Sequence, residues 1–94
     1  MDKNTYTLED CNKLREVITG CKRMVVTIDA EHLKQTGEPQ IMAPTSEFLG
    51  VADNVLDGFV AALEDEVVTS VFLEYVRELE TQLDTTYNNL KNML

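Results

Sequence analysis

The chain of 94 residues is poor in the side chains on which catalytic and cofactor sites most often depend. It contains one histidine, two cysteines and no tryptophan. Without a second histidine or a Cys-x-x-Cys pair, a zinc or iron site lacks a ligand set. His32 has Asp29 and Glu31 nearby, and we interpret it as an isolated surface histidine. We therefore expect no metal and no cofactor.

Groups for nucleophilic catalysis are scarce as well. The only serines are Ser46, which follows a proline and resembles a helix cap, and Ser70, which falls inside a helical pattern. Cys11 and Cys21 fall on apolar helical positions, whereas a catalytic thiol needs partial exposure and positive surroundings. Paired carboxylates such as Asp53 and Asp57 fall on a polar, solvated face. The sequence therefore predicts that the protein is not an enzyme.

Basic residues are few, with eight Lys and Arg against seventeen Asp and Glu and a formal net charge of −9. Such a surface repels phosphate backbones and anionic lipids, so we expect no direct binding to nucleic acid or membranes. Charged residues interrupt the first twenty positions, so no apolar stretch there resembles a signal peptide. We expect a cytoplasmic protein, in which Cys11 and Cys21 remain thiols.

The N-terminal part of the chain has the pattern of an amphipathic helix. Thr7 and Asp10 match a capping box, in which each side chain accepts a hydrogen bond from the other residue's amide. Apolar residues follow at spacings of three and four, which places them on one side of a helix. Gly20 is a reasonable stop. The sequence therefore predicts a first helix at about 8–19.

The next segment favours extended structure. Residues 24–28 read Met-Val-Val-Thr-Ile, and β-branched side chains lose rotamers in a helix, so a strand is predicted. A run this short also fits a helix. Asp29 then caps a short turn that ends at Gly37, and two prolines predict a loop over 37–44.

From Ser46 onwards the pattern is helical to the end. In one continuous helix, the second apolar stripe would lie about half a turn away from the first, far more than the drift of roughly 20° per heptad. A break with Asp65 as N-cap explains this offset, because acids favour a helix N-terminus. The sequence predicts acidic helices at about 46–63 and 66–91 in an antiparallel hairpin; one kinked helix is the alternative.

The predicted fold class is therefore mainly α. We expect a single small helical domain, 1–94, with a C-terminal helical hairpin and at most one short strand. Each apolar arc of the hairpin covers about half of its helix, which is wider than one neighbouring helix requires. A homo-oligomer, a dimer or higher, is therefore expected.

Charge is distributed unevenly along the chain. Residues 1–34 carry six basic and six acidic groups, whereas residues 35–94 carry two basic groups and eleven acids. Such a surface attracts a basic partner. We expect an inhibitor or sequestering factor that binds a basic surface of another protein. A specific version is a nucleic-acid mimic, whose partner is a nucleic-acid-binding protein. The candidate binding residues are Asp53, Asp57, Glu64, Glu74 and Glu78.

The alternative hypothesis places the function in the N-terminal segment. In a homo-oligomer, basic residues from this segment would line a site for a phosphate-bearing small ligand, supported by amides at the start of the first helix. The candidate ligand-binding residues are Tyr6, Lys13, Lys22, Arg23 and Lys34. Salt-sensitive binding to a basic protein favours the first hypothesis, and a thermal shift with a nucleotide favours this one.

Overall fold

The computed structural model describes residues 6–38 and 41–94, and these residues form three α-helices. They are α1 (Leu8–Thr36), α2 (Ala43–Glu64) and α3 (Ser70–Met93). Each helix runs antiparallel to the one before it, and α1 packs against both of the others. The described part of the chain contains no strand. The protein is thus a small all-α domain with a C-terminal helical hairpin, as predicted.

The predicted capping box begins α1. The Thr7 hydroxyl accepts a hydrogen bond from the Asp10 amide at 3.2 Å, and the Asp10 carboxylate accepts one from the Thr7 amide at 2.9 Å. Both bonds satisfy amides that have no partner within the helix. The start of the helix is therefore confirmed.

α1 is longer than predicted, because it continues through Gly20 and through residues 24–28. The predicted stop and the predicted strand are both wrong. The apolar stripe alternates spacings of three and four without interruption, through Cys11, Leu14, Ile18, Cys21, Val25 and Ile28, and all of them are buried. A β-branched residue costs a helix up to ~0.7 kcal/mol, whereas burying its side chain contributes about 1.5–3 kcal/mol. Burial therefore decides the structure of this segment.

The connection from α1 to α2 is shorter than predicted. α2 begins at Ala43, so the loop does not extend to Pro44, which lies in the first turn, where the missing N–H is not needed. Ser46 lies within the helix and does not cap it. The carboxylate of Asp29, predicted to cap a turn of its own, accepts a hydrogen bond from the Met42 amide at 3.1 Å. A side chain of α1 thus binds the backbone at the start of α2, whose N-cap residue is Met42.

The break between α2 and α3 is confirmed, and the single kinked helix is excluded. Asp65 is the C-cap of α2, so its prediction as the N-cap of the next helix is wrong. The reversal takes residues 65–69, with Glu66 at a φ of 57°. The N-cap of α3 is Thr69, whose hydroxyl accepts a hydrogen bond from the Phe72 amide at 3.1 Å.

The core lies between α1 and the inner faces of α2 and α3. Phe59 is fully buried, and its ring makes edge-to-face contacts with Tyr6 and Phe72 at centroid distances of 5.8 and 5.2 Å. Cys11 and Cys21 are free and buried among these apolar side chains. Their predicted place on the core stripe is confirmed.

The packing of the three helices is unequal. α2 and α3 pack against each other less extensively than either packs against α1. Since α1 covers the inner faces of both helices, the outer side of the seam between α2 and α3 stays open to solvent. Oligomer formation remains a prediction.

Gly50 provides a test of α2. It lies on an exposed face in the middle of the helix, where a Cβ atom would have no neighbour within 4 Å. Glycine costs a helix about 1 kcal/mol relative to alanine, so we expect Gly50→Ala to raise the Tm by roughly 4–8 °C. Thermal unfolding followed by circular dichroism measures this shift.

Gly37→Ala is the matched control. Gly37 ends α1 with a φ of 74°, a conformation that alanine adopts only with strain. This substitution should lower the Tm. A shift of the same sign in both variants would contradict the helix boundaries described above.

Candidate functional site

Two of the five predicted binding acids face the protein's own cations. The Asp57 carboxylate accepts a hydrogen bond from the Arg15 guanidinium at 2.6 Å, and the Asp53 carboxylate is paired with the Lys22 ammonium group. All four side chains are partly exposed, so each pair contributes about 0–1 kcal/mol to stability. Their charges nevertheless offset one another along the contact between α1 and α2.

The other three acids lie elsewhere. Glu64 is exposed at the end of α2 and makes no ion pair with any other described residue. Glu74 on α3 is 3.7 Å from Arg77. Glu78 lines the seam between α2 and α3. The structure therefore divides the five acids between two sides of the bundle and does not bring them to one face.

This division bears on the nucleic-acid mimic. A row of carboxylates that imitates phosphates requires free charges at regular spacing along one surface. In the row formed by Asp53, Asp57 and Glu64, the first two carboxylates already have cationic partners. The geometry therefore favours a different part of the surface as the binding site.

The residues of the predicted phosphate site are separated from one another. The helix between Lys13 and Lys34 is continuous, so 21 residues place them about 31 Å apart. Tyr6 is buried and donates a hydrogen bond to Glu80 at 2.8 Å; burial and this bond raise the pKa of its hydroxyl. Lys22 is paired with α2, and Arg23 is exposed on α1. These residues form no common pocket.

An apolar groove follows the open side of the seam between α2 and α3. Consecutive depressions of about 380, 160 and 340 Å³ follow one another along it. The first two share Tyr75, and the second and third share Phe48 and Gln82. We call this feature the α2–α3 groove and define it by Phe48, Val51, Val55, Val71, Phe72 and Tyr75.

Three side chains of this groove are exposed to an unusual degree for their size, whereas Phe48, Val55 and Phe72 are partly buried against the core. Val51 is 49% exposed, Tyr75 is 52% exposed and Val71 is 78% exposed. Single exposed apolar side chains are ordinary, but a contiguous set is typical of an interaction surface. The sequence alone did not predict this groove, because its pattern places the same residues on the two apolar stripes of the hairpin.

Carboxylates border the groove. Glu78 lines its middle section together with Val51 and Tyr75, and Glu74 lies one helical turn before Glu78 on α3. On α2, Glu47 lies one turn before Val51. Within the described ranges, no lysine or arginine lines any of the three depressions. The first two depressions thus have an apolar floor, whereas in the third Phe48 is joined by Thr81, Gln82, Thr85 and Thr86. The acidic rim of the groove is defined here as Glu47, Glu74 and Glu78.

His32 is partly buried on α1. Its Nε2 atom has no hydrogen-bond partner among the described residues, and the Glu38 carboxylate lies 4.0 Å away. Residues 6–38 and 41–94 contain no group of three or more His, Cys, Asp or Glu side chains placed to hold a metal ion. In these same ranges, no helix combines the length and apolar character needed to cross a membrane.

Comparisons with known protein families, with curated proteins and with solved structures find no match to this chain. Fold class alone does not identify an activity, because three-helix domains serve many functions. The chemistry of the α2–α3 groove and its rim is therefore the basis for assigning a function.

The two thiols provide a test of the core. Burial raises the pKa of Cys11 and of Cys21, so little reactive thiolate forms near neutral pH. We expect a thiol reagent such as DTNB at pH 8 to modify the native protein only as fast as the protein opens. Addition of urea should make both thiols react at once.

Val26→Cys is the matched control, because Val26 is 68% exposed on α1. Its new thiol should react rapidly in the native protein, while the two natural thiols stay protected. If the wild-type protein reacts as rapidly as the Val26→Cys variant, the buried positions assigned to Cys11 and Cys21 are wrong.

Proposed function

We propose that this protein is an interaction module that binds a basic surface of another protein and thereby inhibits or sequesters it. The observation that carries the proposal is the α2–α3 groove, an open apolar surface with an acidic rim. Its lining offers apolar contacts and negative charge together. A cationic protein surface with exposed apolar side chains complements both properties.

The distribution of charge supports a cationic partner. α1 carries five acidic and five basic residues, whereas residues 41–94 carry ten acids and only two bases. Part of this charge is offset by Arg15 and Lys22, which contact the flank of α2 that faces α1. On the groove side, Arg77 lies 3.7 Å from Glu74 and offsets part of the charge of the rim, so Glu47 and Glu78 carry most of it. Such a field speeds the approach of a cationic partner and weakens with salt.

The apolar floor of the groove supports the formation of a stable complex after the first encounter. Charged rims mainly affect association rate and specificity, whereas buried apolar anchors supply most of the affinity. Val51, Val71 and Tyr75 present such side chains already exposed, so binding requires no unfolding of the bundle. A partner that covers this surface would be held by contacts that the isolated bundle leaves unused.

The compartment that we propose is the cytoplasm. Cys11 and Cys21 are both free, which fits a reducing environment. The phosphate-ligand alternative lacks a comparable observation, because its residues are spread along α1. The acidic groove therefore provides the better basis for function.

Affinity capture at two salt concentrations tests the proposal. The tagged protein is exposed to a lysate of its source cells at 50 mM and 300 mM salt, and captured proteins are identified by mass spectrometry. We expect a basic protein that is captured mainly at low salt. Neutralising the rim with Glu47→Gln, Glu74→Gln and Glu78→Gln should reduce its capture roughly tenfold, since three contacts of ~0.5 kcal/mol each combine.

The matched control removes the same amount of charge elsewhere. Glu16→Gln, Asp53→Asn and Asp57→Asn change three acids on α1 and on the α1-facing flank of α2. This variant should retain the partner. Equal losses in both triple variants, or capture that does not respond to salt, would contradict the proposed function.

A further inference from the structure

We propose that the α2–α3 groove receives one amphipathic helix of the partner, with lysines or arginines on both sides of its apolar stripe. This inference rests on the proposed function and specifies the chemistry of the partner. Helices that bind grooves use apolar anchors at positions i, i+3 or i+4, and i+7. The groove is matched to such a helix in length, in the spacing of its depressions and in charge.

The length of the groove fits a short helix. From Phe48 to Gly58 on α2 the groove spans ten residues, about 15 Å at the rise of an α-helix. On α3 it spans fifteen residues, from Val71 to Thr86, about 22 Å. A partner helix of four turns covers this length and can place one apolar anchor in each turn.

The spacing of the depressions fits the spacing of those anchors. Tyr75 separates the first depression from the second, and Gln82 separates the second from the third. These two residues are seven positions apart on one helix face. Anchors at i and at i+3 or i+4 repeat every seven residues, so one such pair of anchors matches the length of the middle depression.

The rim specifies the flanks of the partner helix. Glu74 and Glu78 lie one turn apart on the α3 edge, and Glu47 lies on the α2 edge. Lysines or arginines beside the apolar stripe of the partner would meet these carboxylates on both edges. Acidic flanks would be repelled by them.

The same rim argues against a second copy of this chain as the occupant. In a twofold dimer formed through the groove, each copy presents the same surface to the other. The rim of one copy would then face the rim of the other, with carboxylates on both sides. Each copy also carries a net charge of −9, which adds repulsion.

Peptide binding to the purified full chain tests this inference. The probe is a fluorescent 15-residue alanine-based peptide with leucines at i, i+4, i+7 and i+11 and lysines flanking them. One control peptide has the same composition with its leucines distributed around the helix, and another has glutamates in place of the lysines. We expect the probe to bind with a Kd below 100 µM and to gain helicity by circular dichroism, and each control peptide to bind at least tenfold more weakly.

Variants locate the binding site. Val51→Gln with Tyr75→Gln alters the groove at exposed positions, so the fold is retained, and should weaken probe binding at least tenfold. The matched control is Val26→Gln with Leu33→Gln, which alters two exposed apolar residues of α1. It should change the Kd less than twofold.

The remaining outcomes distinguish the two proposals. Equal effects of the groove and α1 variants, or no probe binding while salt-sensitive capture from lysate persists, would overturn the helix in the groove and leave the proposed function standing. Sedimentation that shows a dimer which Val51→Gln with Tyr75→Gln dissociates would make a second copy the occupant and also overturn the inference. Failure of both probe binding and salt-sensitive capture would overturn both proposals.

Discussion

The uninterrupted apolar stripe of α1 is the constraint on which the rest of the structure depends. It runs from Cys11 to Ile28 and provides one long wall against which both shorter helices pack. Because α2 and α3 direct their most apolar faces toward α1, they meet each other only along their edges. The open seam between them is a consequence of this arrangement.

The position of α1 also determines which acidic residues of the hairpin lie opposite cations. α1 is electrically balanced, and it presents Arg15 and Lys22 to the neighbouring flank of α2. Asp53 and Asp57 therefore lie opposite cations. The sequence pattern alone does not distinguish them from the other acids of the hairpin. Of the other acids, Glu78 lies on the open side of the seam between α2 and α3, where it borders apolar side chains. The fold thus combines negative charge and apolar surface in one place.

Local features were predictable from the sequence, and long-range ones were not. The Thr7 capping box depends on neighbouring residues only, and the break near Asp65 on the offset between two apolar stripes, so both could be predicted from the sequence pattern. The length of α1 was missed because Gly20 and the β-branched run were weighed by local preference, while the burial of Val25 decided the outcome. The regular spacing of three and four residues along the apolar stripe indicated this burial. The groove could not be predicted in this way, because its position depends on which flank of α2 faces α1.

Folding explains only part of the apolar character of the groove, because Phe48, Val55 and Phe72 pack against the core whereas the other defining residues do not. A buried residue such as Phe59 stabilises the bundle by leaving water, whereas Val71, at 78% exposure, remains largely in water and contributes little to stability. Val51 and Tyr75 are about half exposed, so half of their apolar surface is likewise unused by the fold. Their positions beside one seam place this unused surface in one contiguous strip, bordered by carboxylates. Contact with another molecule would remove that strip from water, and this gives the side chains a physical role that the isolated bundle does not.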